Sequence, residues 1–431
     1  MTDTTPELSG AAGRPTDNTR TLVRLVIVVA LGVALAAVVH ALSVLIVIVA
    51  LVAMVMLHEL GHFTAAKLSG MKVTEYFFGF GPKLWSVRRG ETEYGVKAIP
   101  AGGYVRIVGM TTLEEVEPTD EPRSYRQGSF RARFAVGVAG STVHFILALL
   151  LLFVMAVGTG VPTSVGTNEV GTVLTVGGHR GPAAAAGIAA GDRIVGIDGR
   201  RAPLESVVTA IERHPGQSVP VLVEHNGKIR TVVVRPTTRA AAGLAAGGSA
   251  VGSQGFIGVG FLSAVRNIHT GVLHAIPTSL RLFGNVFSTS ITGIGHVFSA
   301  SGLRSFAHQV ATASDHSKTS ASGNSGQLIS IVGAVQIGSQ AARNNPAELL
   351  YLLVAINVFV GLINLVPMLP LDGGHVSIAI YERIRSRRGR RYHADVRKMM
   401  PIAYAFLAFI VAIGLGALYT NIVHPVSLPG G

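Results

Sequence analysis

The longest apolar run in the sequence, Leu25–Leu57, is interrupted only by His40 and Ser43. A single helix over this run would be roughly 50 Å long, whereas the hydrocarbon core of a bilayer is about 30 Å thick. Two crossings with a turn near His40 fit that thickness better than one strongly tilted helix. The run therefore predicts that the chain crosses the membrane twice before its first polar segment.

Three further apolar regions follow, namely Phe134–Val161, Leu349–Leu371 and Pro401–Val423. Charged residues make up 14% of the chain, against about 25% in typical soluble domains. These features predict a polytopic α-helical membrane protein with about four to five transmembrane helices, embedded in the lipid bilayer.

Positive charges concentrate at the ends of the apolar regions, and the formal net charge is +13. Basic residues are dense between Lys67 and Arg133 and again between Arg383 and Lys398. The positive-inside bias predicts that both stretches are cytoplasmic, which leaves residues 162–346 outside. Because aromatic residues do not interleave with these cations, we expect no nucleic acid partner. The chain has no cysteine, which excludes disulfides and thiolate zinc ligands.

Composition divides the chain into five parts. They are a disordered tail (1–20), a membrane core with a cytoplasmic β-hairpin at 71–110 (21–161), an α/β domain (165–237), a linker with an amphipathic helix (238–345) and a second membrane core (346–431). The amphipathic helix is predicted from apolar residues near helical spacing: Ile276, Leu280, Phe283, Phe287, Ile291, Ile294 and Phe298.

The motif His58-Glu59-Leu60-Gly61-His62 follows the first apolar run. Residues four apart lie on one face of a helix, so both imidazoles reach one metal ion while Glu59 faces its water. Zinc brings the pKa of that water towards neutrality and polarises a carbonyl, and the glutamate takes the proton. The motif indicates a zinc hydrolase with Glu59 as the catalytic base. The alternative is an interfacial helix end that carries polar residues without a metal.

A second polar cluster, from Asn364 to His375, ends the third apolar region. Pro367 and Pro370 break a helix, and freed backbone at membrane depth must line a cavity or be buried in protein. Asp372 is the natural carboxylate ligand to complete the metal site, and Asn364 is predicted to hydrogen-bond the substrate backbone. The alternative is a simple exit turn of a membrane span.

These two clusters resemble the site-2 protease family of intramembrane zinc metalloproteases. In that family H-E-x-x-H on one helix and N-x-x-P-x-x-x-L-D-G on another assemble the active site. The bacterial RseP/Rip-type branch is similar in addition at Gly79–Pro82, Gly90–Tyr94 and Pro100–Val105. The resemblance runs from about Leu42 to Pro425, and the residues before it depart from the usual pattern.

The resemblance implies Zn²⁺ as the cofactor and transmembrane proteins as substrates, typically single-span anti-sigma factors cut in regulated intramembrane proteolysis. It places the protein in the plasma membrane as a multi-pass protein with its active site near the cytoplasmic side. It implies three metal ligands, one base and two further motif positions: His58, His62, Asp372, Glu59, Asn364 and Pro367.

Residues Gly181–Gly199 resemble a PDZ domain of the bacterial protease type. Glycines permit its tight turns, and an exposed strand edge next to a groove accepts an extended peptide. We therefore expect one extracytoplasmic PDZ-like α/β domain. It either captures peptides or acts as a spacer that excludes bulky substrates.

The predicted hairpin at 71–110 also has a mechanistic interpretation. Unwinding a transmembrane substrate leaves backbone groups unpaired in lipid, at several kcal/mol each. An edge strand beside the zinc would pair with that backbone and offset the penalty. Gly102 and Gly103 would permit the close approach of a substrate. The alternative is a plain surface hairpin.

The sequence thus predicts a zinc-dependent intramembrane endopeptidase. The main alternative is a catalytically inactive membrane adaptor or chaperone that binds peptides through its PDZ-like domain. A third interpretation is an H-E-x-x-H protease that uses a downstream glutamate as ligand. Its mark would be a second glutamate-bearing helix, whereas Glu114, Glu115 and Glu117 lie in a polar loop.

Overall fold

The computed structural model describes residues 15–111, 114–176, 179–238, 241, 253–313, 329–386 and 392–423. The chain forms two compact units, which we call the membrane unit (Met1–Gly160 with His269–Gly431) and the β-rich unit (Val161–Ile268). Residues 1–14 of the predicted tail and the low-complexity parts of the predicted linker, 242–252 and 314–328, lie outside the described residues.

The helices of the membrane unit, numbered along the chain with those of the β-rich unit, are α1 (Pro15–Val38), α2 (Leu42–Leu68), α3 (Phe130–Val154), α6 (Val272–Val297), α7 (Ala300–Thr312), α8 (Ile331–Asn344), α9 (Pro346–Asn364), α10 (Asp372–Arg385) and α11 (Met400–Val423).

Among the described residues, five segments are long and apolar enough to cross a membrane: Thr21–Val38, Leu42–Leu68, Phe130–Thr159, Pro346–Asn364 and Val396–Val423. This confirms the predicted number of spans.

The first apolar run forms two helices, as predicted, because the chain turns at His40. The backbone of His40 has a φ of 57°, which a helix cannot continue. Helix α1 begins at Pro15, inside the segment 1–20 that was predicted to be a disordered tail. Proline is well tolerated in a first helical turn, where no backbone N–H is needed. Helix α1 therefore overlaps the last six residues of the predicted tail.

Three spans, α2, α3 and α9, pack closely because glycines lie at their contacts. A Cβ at Gly61 of α2 would lie 2.8 Å from the carbonyl oxygen of Ala139 on α3. A Cβ at Gly361 of α9 would lie 2.7 Å from the ring of Phe145 on α3. Small residues at such contacts let helix backbones approach in lipid, where there is no hydrophobic drive for association.

The predicted hairpin is present as β1 (Val73–Arg89) and β2 (Thr92–Ile107), joined at Gly90-Glu91. It curls so that Glu75 pairs with Arg106 on one side and with Glu93 on the other. Residues 73–78 are therefore central, and residues 103–107 lie at an edge among the described strand pairings.

The β-rich unit contains β3 (Val161–Val173), β4 (Thr175–Val176), β5 (His179–Arg180), α4 (Pro182–Ala185), β6 (Arg193–Ile197), β7 (Arg200–Arg201), α5 (Leu204–Arg213), β8 (Val219–His225), β9 (Lys228–Val234), β10 (Thr237–Thr238), β11 (Gly255–Phe256) and β12 (Val259–Ile268). Its main sheet has the order β12-β3-β6-β8-β9, with β7 paired to β6. The unit extends beyond the predicted 165–237, because β12 returns to pair antiparallel with β3.

The predicted amphipathic helix corresponds to α6. Its Phe283 and Phe287 pack against Phe145 of α3, with ring centroids 6.0 and 5.7 Å apart. Leu273 and Leu280 on the same helix are exposed. Helix α6 thus packs one face against α3 and leaves apolar side chains of another face exposed.

Candidate metal centre

Helices α2 and α10 bring together three atoms that could hold a metal ion, although His62 and Asp372 are 310 positions apart in the chain. His58 Nε2 lies 3.2 Å from His62 Nε2. Asp372 Oδ2 lies 3.3 Å from His58 Nε2 and 3.1 Å from His62 Nε2. Both histidines are buried, and Asp372 is partly buried.

The spacing of these atoms fits a tetrahedral zinc ion. Zinc binds imidazole nitrogen and carboxylate oxygen at about 2.0–2.1 Å, so two tetrahedral ligands lie about 3.3–3.4 Å apart. The three observed separations are close to that value. Two imidazoles and one carboxylate leave a fourth position open, as in catalytic zinc sites.

Helical spacing alone aligns the two histidines. Helix α2 continues beyond the apolar run to Leu68, so the His58–His62 segment lies in its last turns without a break. The hydroxyl of Tyr76 on β1 donates to the carbonyl oxygen of Met56, at 2.7 Å, and ties the hairpin to this end of α2.

Asp372 reaches the histidines through a broken helix. Helix α9 ends at Asn364 instead of continuing to Leu371 as the apolar run suggested, because Pro367 and Pro370 cannot continue it. Asp372 is the first residue of α10, where a helix favours negative charge.

Two glycines next to Asp372 let α10 start against the preceding loop. A Cβ at Gly373 would overlap the carbonyl of Val366, and a Cβ at Gly374 would lie 2.7 Å from the backbone nitrogen of Leu369. The packing of the loop that carries the carboxylate therefore requires glycine at both positions after Asp372.

Helix α3 supports the histidines, a role that the sequence reasoning missed. The carbonyl oxygen of Val136 accepts a hydrogen bond from His62 Nδ1, at 2.7 Å. This bond leaves Nε2 of His62 for the metal. A Cβ at Gly140 would lie 2.5 Å from His62 Nε2 and 2.6 Å from His58 Nδ1. Only glycine fits at that position.

His144, one turn beyond Gly140, was also missed. It is buried, and its ring centroid lies 5.0 Å from that of His58. Its Nδ1 hydrogen-bonds Asn357 Oδ1 on α9, at 2.8 Å. The signal available in the sequence was a histidine inside an apolar span, which is costly unless it has a partner.

Glu59 is half-buried beside the hairpin. A Cβ at Gly103 of β2 would lie 3.3 Å from Glu59 Cγ and 2.8 Å from Met56 Sδ. Gly102 has a φ of +133°, a conformation that other residues rarely adopt. The structure thus places Gly103 next to the predicted base, whereas a Cβ at Gly102 would meet the ring of Phe80 instead.

The remaining predicted site residues lie in the α9–α10 connection. Asn364 is the last residue of α9 and is half-buried, and Pro367 is exposed. The described hydrogen bonds join neither residue to the histidines. Glu114 accepts hydrogen bonds from Arg106 and from the backbone of Gly109, so it belongs to the hairpin and not to the metal centre.

Comparison with known proteins agrees with this site. A family model described as peptidase family M50 matches residues 46–411, which include both halves of the metal centre. The chain is 34% identical over 400 residues to the zinc metalloprotease Rip1 of Mycobacterium tuberculosis, covering 87% of this chain and 95% of that protein. It is 33% identical over 415 residues to Rip1 of Mycolicibacterium smegmatis, covering 88% and 97%.

A more distant relative is also a putative zinc metalloprotease. The chain is 26% identical over 384 residues to a putative zinc metalloprotease of Clostridium perfringens, covering 87% of this chain and 96% of that protein. These matches, with the intact metal-ligating set, favour the protease over the inactive adaptor. The chain belongs to peptidase family M50, the site-2 protease family, and is a multi-pass membrane zinc metalloprotease.

Proposed function

We propose that this zinc metalloprotease is an intramembrane endopeptidase that cuts the transmembrane segments of single-span membrane proteins. One observation carries the proposal: Asp372 lies within 3.3 Å of two imidazoles that belong to a candidate membrane span. A metal centre on such a helix reaches peptide bonds that soluble proteases cannot approach.

In this proposal His58, His62 and Asp372 hold the zinc, and Glu59 is the catalytic base. When bound, zinc supplies Lewis acidity, which polarises a carbonyl and makes water a nucleophile near neutral pH. Glu59 follows His58 directly in α2, so its carboxylate is carried by the same helical turn. It accepts the proton of the attacking water and passes it to the leaving amine.

The edge segment 103–107 binds the substrate backbone in this proposal. Residues 103–107 pair with β1 on one side only among the described strands, and Gly103 lies against Glu59. A locally unwound substrate would gain strand pairing there, which offsets the loss of its helical hydrogen bonds. Asn364, at the end of α9, is proposed to hold the substrate backbone from the other side.

The proposed orientation follows from the basic residues. Cytoplasmic placement of the hairpin and of the loop before α11 puts the active site near the cytoplasmic side and the β-rich unit outside. Anti-sigma factors are the proposed substrates, on the resemblance to the RseP/Rip-type branch.

The β-rich unit is proposed to be the PDZ-like domain. Gly187 and Gly191 have φ values of 79° and 87°, as the predicted tight turns require. Asp192, which lies between Gly191 and β6, is buried and accepts hydrogen bonds from His225 and Arg230. Replacing residues 161–268 by a short linker distinguishes its two roles: a spacer predicts that bulkier substrates are cut, whereas peptide capture predicts slower cleavage of every substrate.

The proposed function is tested with purified protein in liposomes and a single-span reporter carrying labels on both sides. Replacing Glu59→Gln is expected to lower cleavage by roughly 10²–10⁴-fold, the range for loss of a general base. The matched control is Glu115→Gln, which changes an exposed glutamate. Undiminished cleavage by the Glu59→Gln protein would refute the assigned base, and cleavage only outside the labelled span would refute intramembrane proteolysis.

A further inference from the structure

Two polar residues buried between membrane spans have no role in the mechanism above. His144 on α3 is 2% exposed, and Asn357 on α9 is fully buried. Polar side chains at such depth are unfavourable unless their hydrogen-bonding groups are satisfied. Their placement beside His58 therefore calls for a physical explanation.

The orientation of Asn357 fixes the proton on His144. Asn357 Nδ2 donates to the carbonyl oxygen of Leu353, at 2.8 Å, so its Oδ1 is the atom that faces His144 Nδ1. An amide oxygen only accepts, and Nδ1 of His144 must therefore donate. A neutral imidazole carries one proton, which leaves a lone pair on Nε2 of His144.

His58 has the complementary need. Its Nε2 belongs to the metal-ligating set, and its Nδ1 is buried with no hydrogen-bond partner among the described residues. A histidine that binds zinc through Nε2 carries its proton on Nδ1, and such N–H groups almost always have an acceptor. His62 satisfies this requirement through Val136.

We propose that His144 is a positioning residue whose Nε2 accepts the Nδ1 proton of His58. The proposal rests on zinc ligation by His58 in the proposed function. The two rings are already in contact, with centroids 5.0 Å apart and planes 41° apart, and rotation of an imidazole within that contact forms the bond. The chain Leu353–Asn357–His144 then holds His58 in the tautomer and orientation that bind the metal.

The two ends of the His144 ring can be tested separately. His144→Asn keeps a donor for Asn357 and loses the acceptor for His58. His144→Gln has its side-chain oxygen near the position of Nε2 and loses the bond to Asn357. Loss of an acceptor behind a zinc-binding histidine lowers metal affinity by about 10–100-fold. The positioning role therefore predicts that His144→Gln retains zinc better than His144→Asn. It predicts the reverse for thermal stability, where His144→Asn is the more stable variant.

The experiment measures the rate of zinc release to a chelator and the thermal unfolding midpoint of the full chain in detergent. We expect His144→Asn to release zinc about 10–100-fold faster than wild type, and His144→Gln to release it more slowly than His144→Asn while unfolding at a lower temperature. The control His274→Asn changes an exposed histidine of α6 and should match wild type. The visible spectrum of the Co²⁺-loaded protein should change in the His144→Asn variant and not in the control.

Three results would overturn this proposal alone. Unchanged zinc release in His144→Asn would show that His58 needs no acceptor there. Zinc release that follows thermal stability across both variants would show a packing role. Zinc loss as complete as in His58→Ala would make His144 a direct ligand. A wild-type protein that binds no zinc would refute the metal centre as well. Zinc binding by the wild type therefore separates failure of the His144 proposal from failure of the proposed function.

Discussion

The two sides of the metal centre are built in different ways. His58 and His62 lie on one continuous helix, whose geometry alone places both imidazoles on one face. Asp372 follows a chain that leaves α9 at Asn364 and reaches α10 through a loop with two prolines. The histidine side is therefore organised locally, whereas the carboxylate side depends on tertiary packing.

Helix α3 joins these two sides. Its Val136 and Gly140 contact the histidines. Its Arg133 pairs with Glu382 of α10, and a Cβ at its Gly137 would lie 2.7 Å from Val376 of the same helix. Small changes in α3 should thus affect both sides, whereas changes elsewhere should affect one side.

The largest effect is expected on the carboxylate side. Asp372→Asn removes the anionic ligand while it keeps the size of the side chain, so cleavage of the single-span reporter should fall by more than about 10³-fold. The matched control is Asp395→Asn, which changes an exposed aspartate near α11. Equal activity in the two variants would mean that the packed loop does not deliver a ligand.

A smaller loss, in zinc affinity, is expected when α3 is changed beneath the histidines. Gly140→Ala places a methyl group 2.5–2.6 Å from atoms of His58 and His62, so the imidazoles must move. Gly158→Ala, in the same span, adds a methyl group where nothing lies within 4 Å. Overpacking costs about 1–3 kcal/mol, which should appear as weaker zinc binding by Gly140→Ala in a chelator competition. Equal zinc affinity in the two variants would argue against α3 as the support.

The link between α3 and α10 should show an effect on stability. Arg133 and Glu382 form a buried pair at 2.5 Å, with side chains 12% and 6% exposed. Removing one partner of a buried pair costs about 3–5 kcal/mol, and replacing both with apolar residues costs far less. Arg133→Met should lower the thermal unfolding midpoint, and Arg133→Met with Glu382→Met should restore much of it. Additive losses would mean that the pair does not hold the two helices together.

A smaller effect is expected where the hairpin meets the base. A methyl group at Gly103 would lie 2.8 Å from Met56 Sδ and 3.3 Å from Glu59 Cγ. Gly103→Ala should raise KM or lower kcat by about 1–3 kcal/mol in transition-state free energy, equivalent to roughly 5–150-fold, while zinc content stays unchanged. Gly90→Ala, at the far turn, is the comparison for backbone strain without a steric clash, because Gly90 has a φ of 61° and nothing lies within 4 Å of its Cβ position. Loss of zinc in Gly103→Ala would place the glycine in the metal centre instead.

The smallest effect is expected on thermal stability, from the ion pairs that Glu91 forms at the hairpin turn. Hydrogen bonds from Arg123 and then Lys67 lower the pKa of Glu91 from 4.5 to about 2. A carboxyl with a depressed pKa stabilises the fold above its unfolded pKa and loses that contribution as the pH falls towards 2. Because the pair lies at the surface, it contributes about 0–1 kcal/mol. Glu91→Gln should lower the unfolding midpoint slightly at pH 7, and the difference should vanish near pH 2; a difference independent of pH would contradict the assignment.

Sequence reasoning reached the elements whose signals are local. The spans, the turn at His40 and the hairpin follow from hydropathy period and turn residues. Both motifs of the metal centre were identifiable because helical spacing and proline breaks are visible along the chain.

What it missed depends on contacts between distant residues. Val136 supports His62 through a backbone carbonyl, which any residue type would supply. Gly140 is needed only because two rings pack on it. The return of β12 to β3 lies beyond a low-complexity segment, so composition placed the domain boundary too early.

Zinc content tests the metal centre most directly. Mass spectrometry of the metal in purified wild type, Glu59→Gln and Asp372→Ala should find one zinc per chain in the first two proteins and almost none in the third. Full zinc occupancy in the Asp372→Ala protein would contradict the assignment, because the two imidazoles on α2 would then hold the ion without the carboxylate that the broken helix delivers.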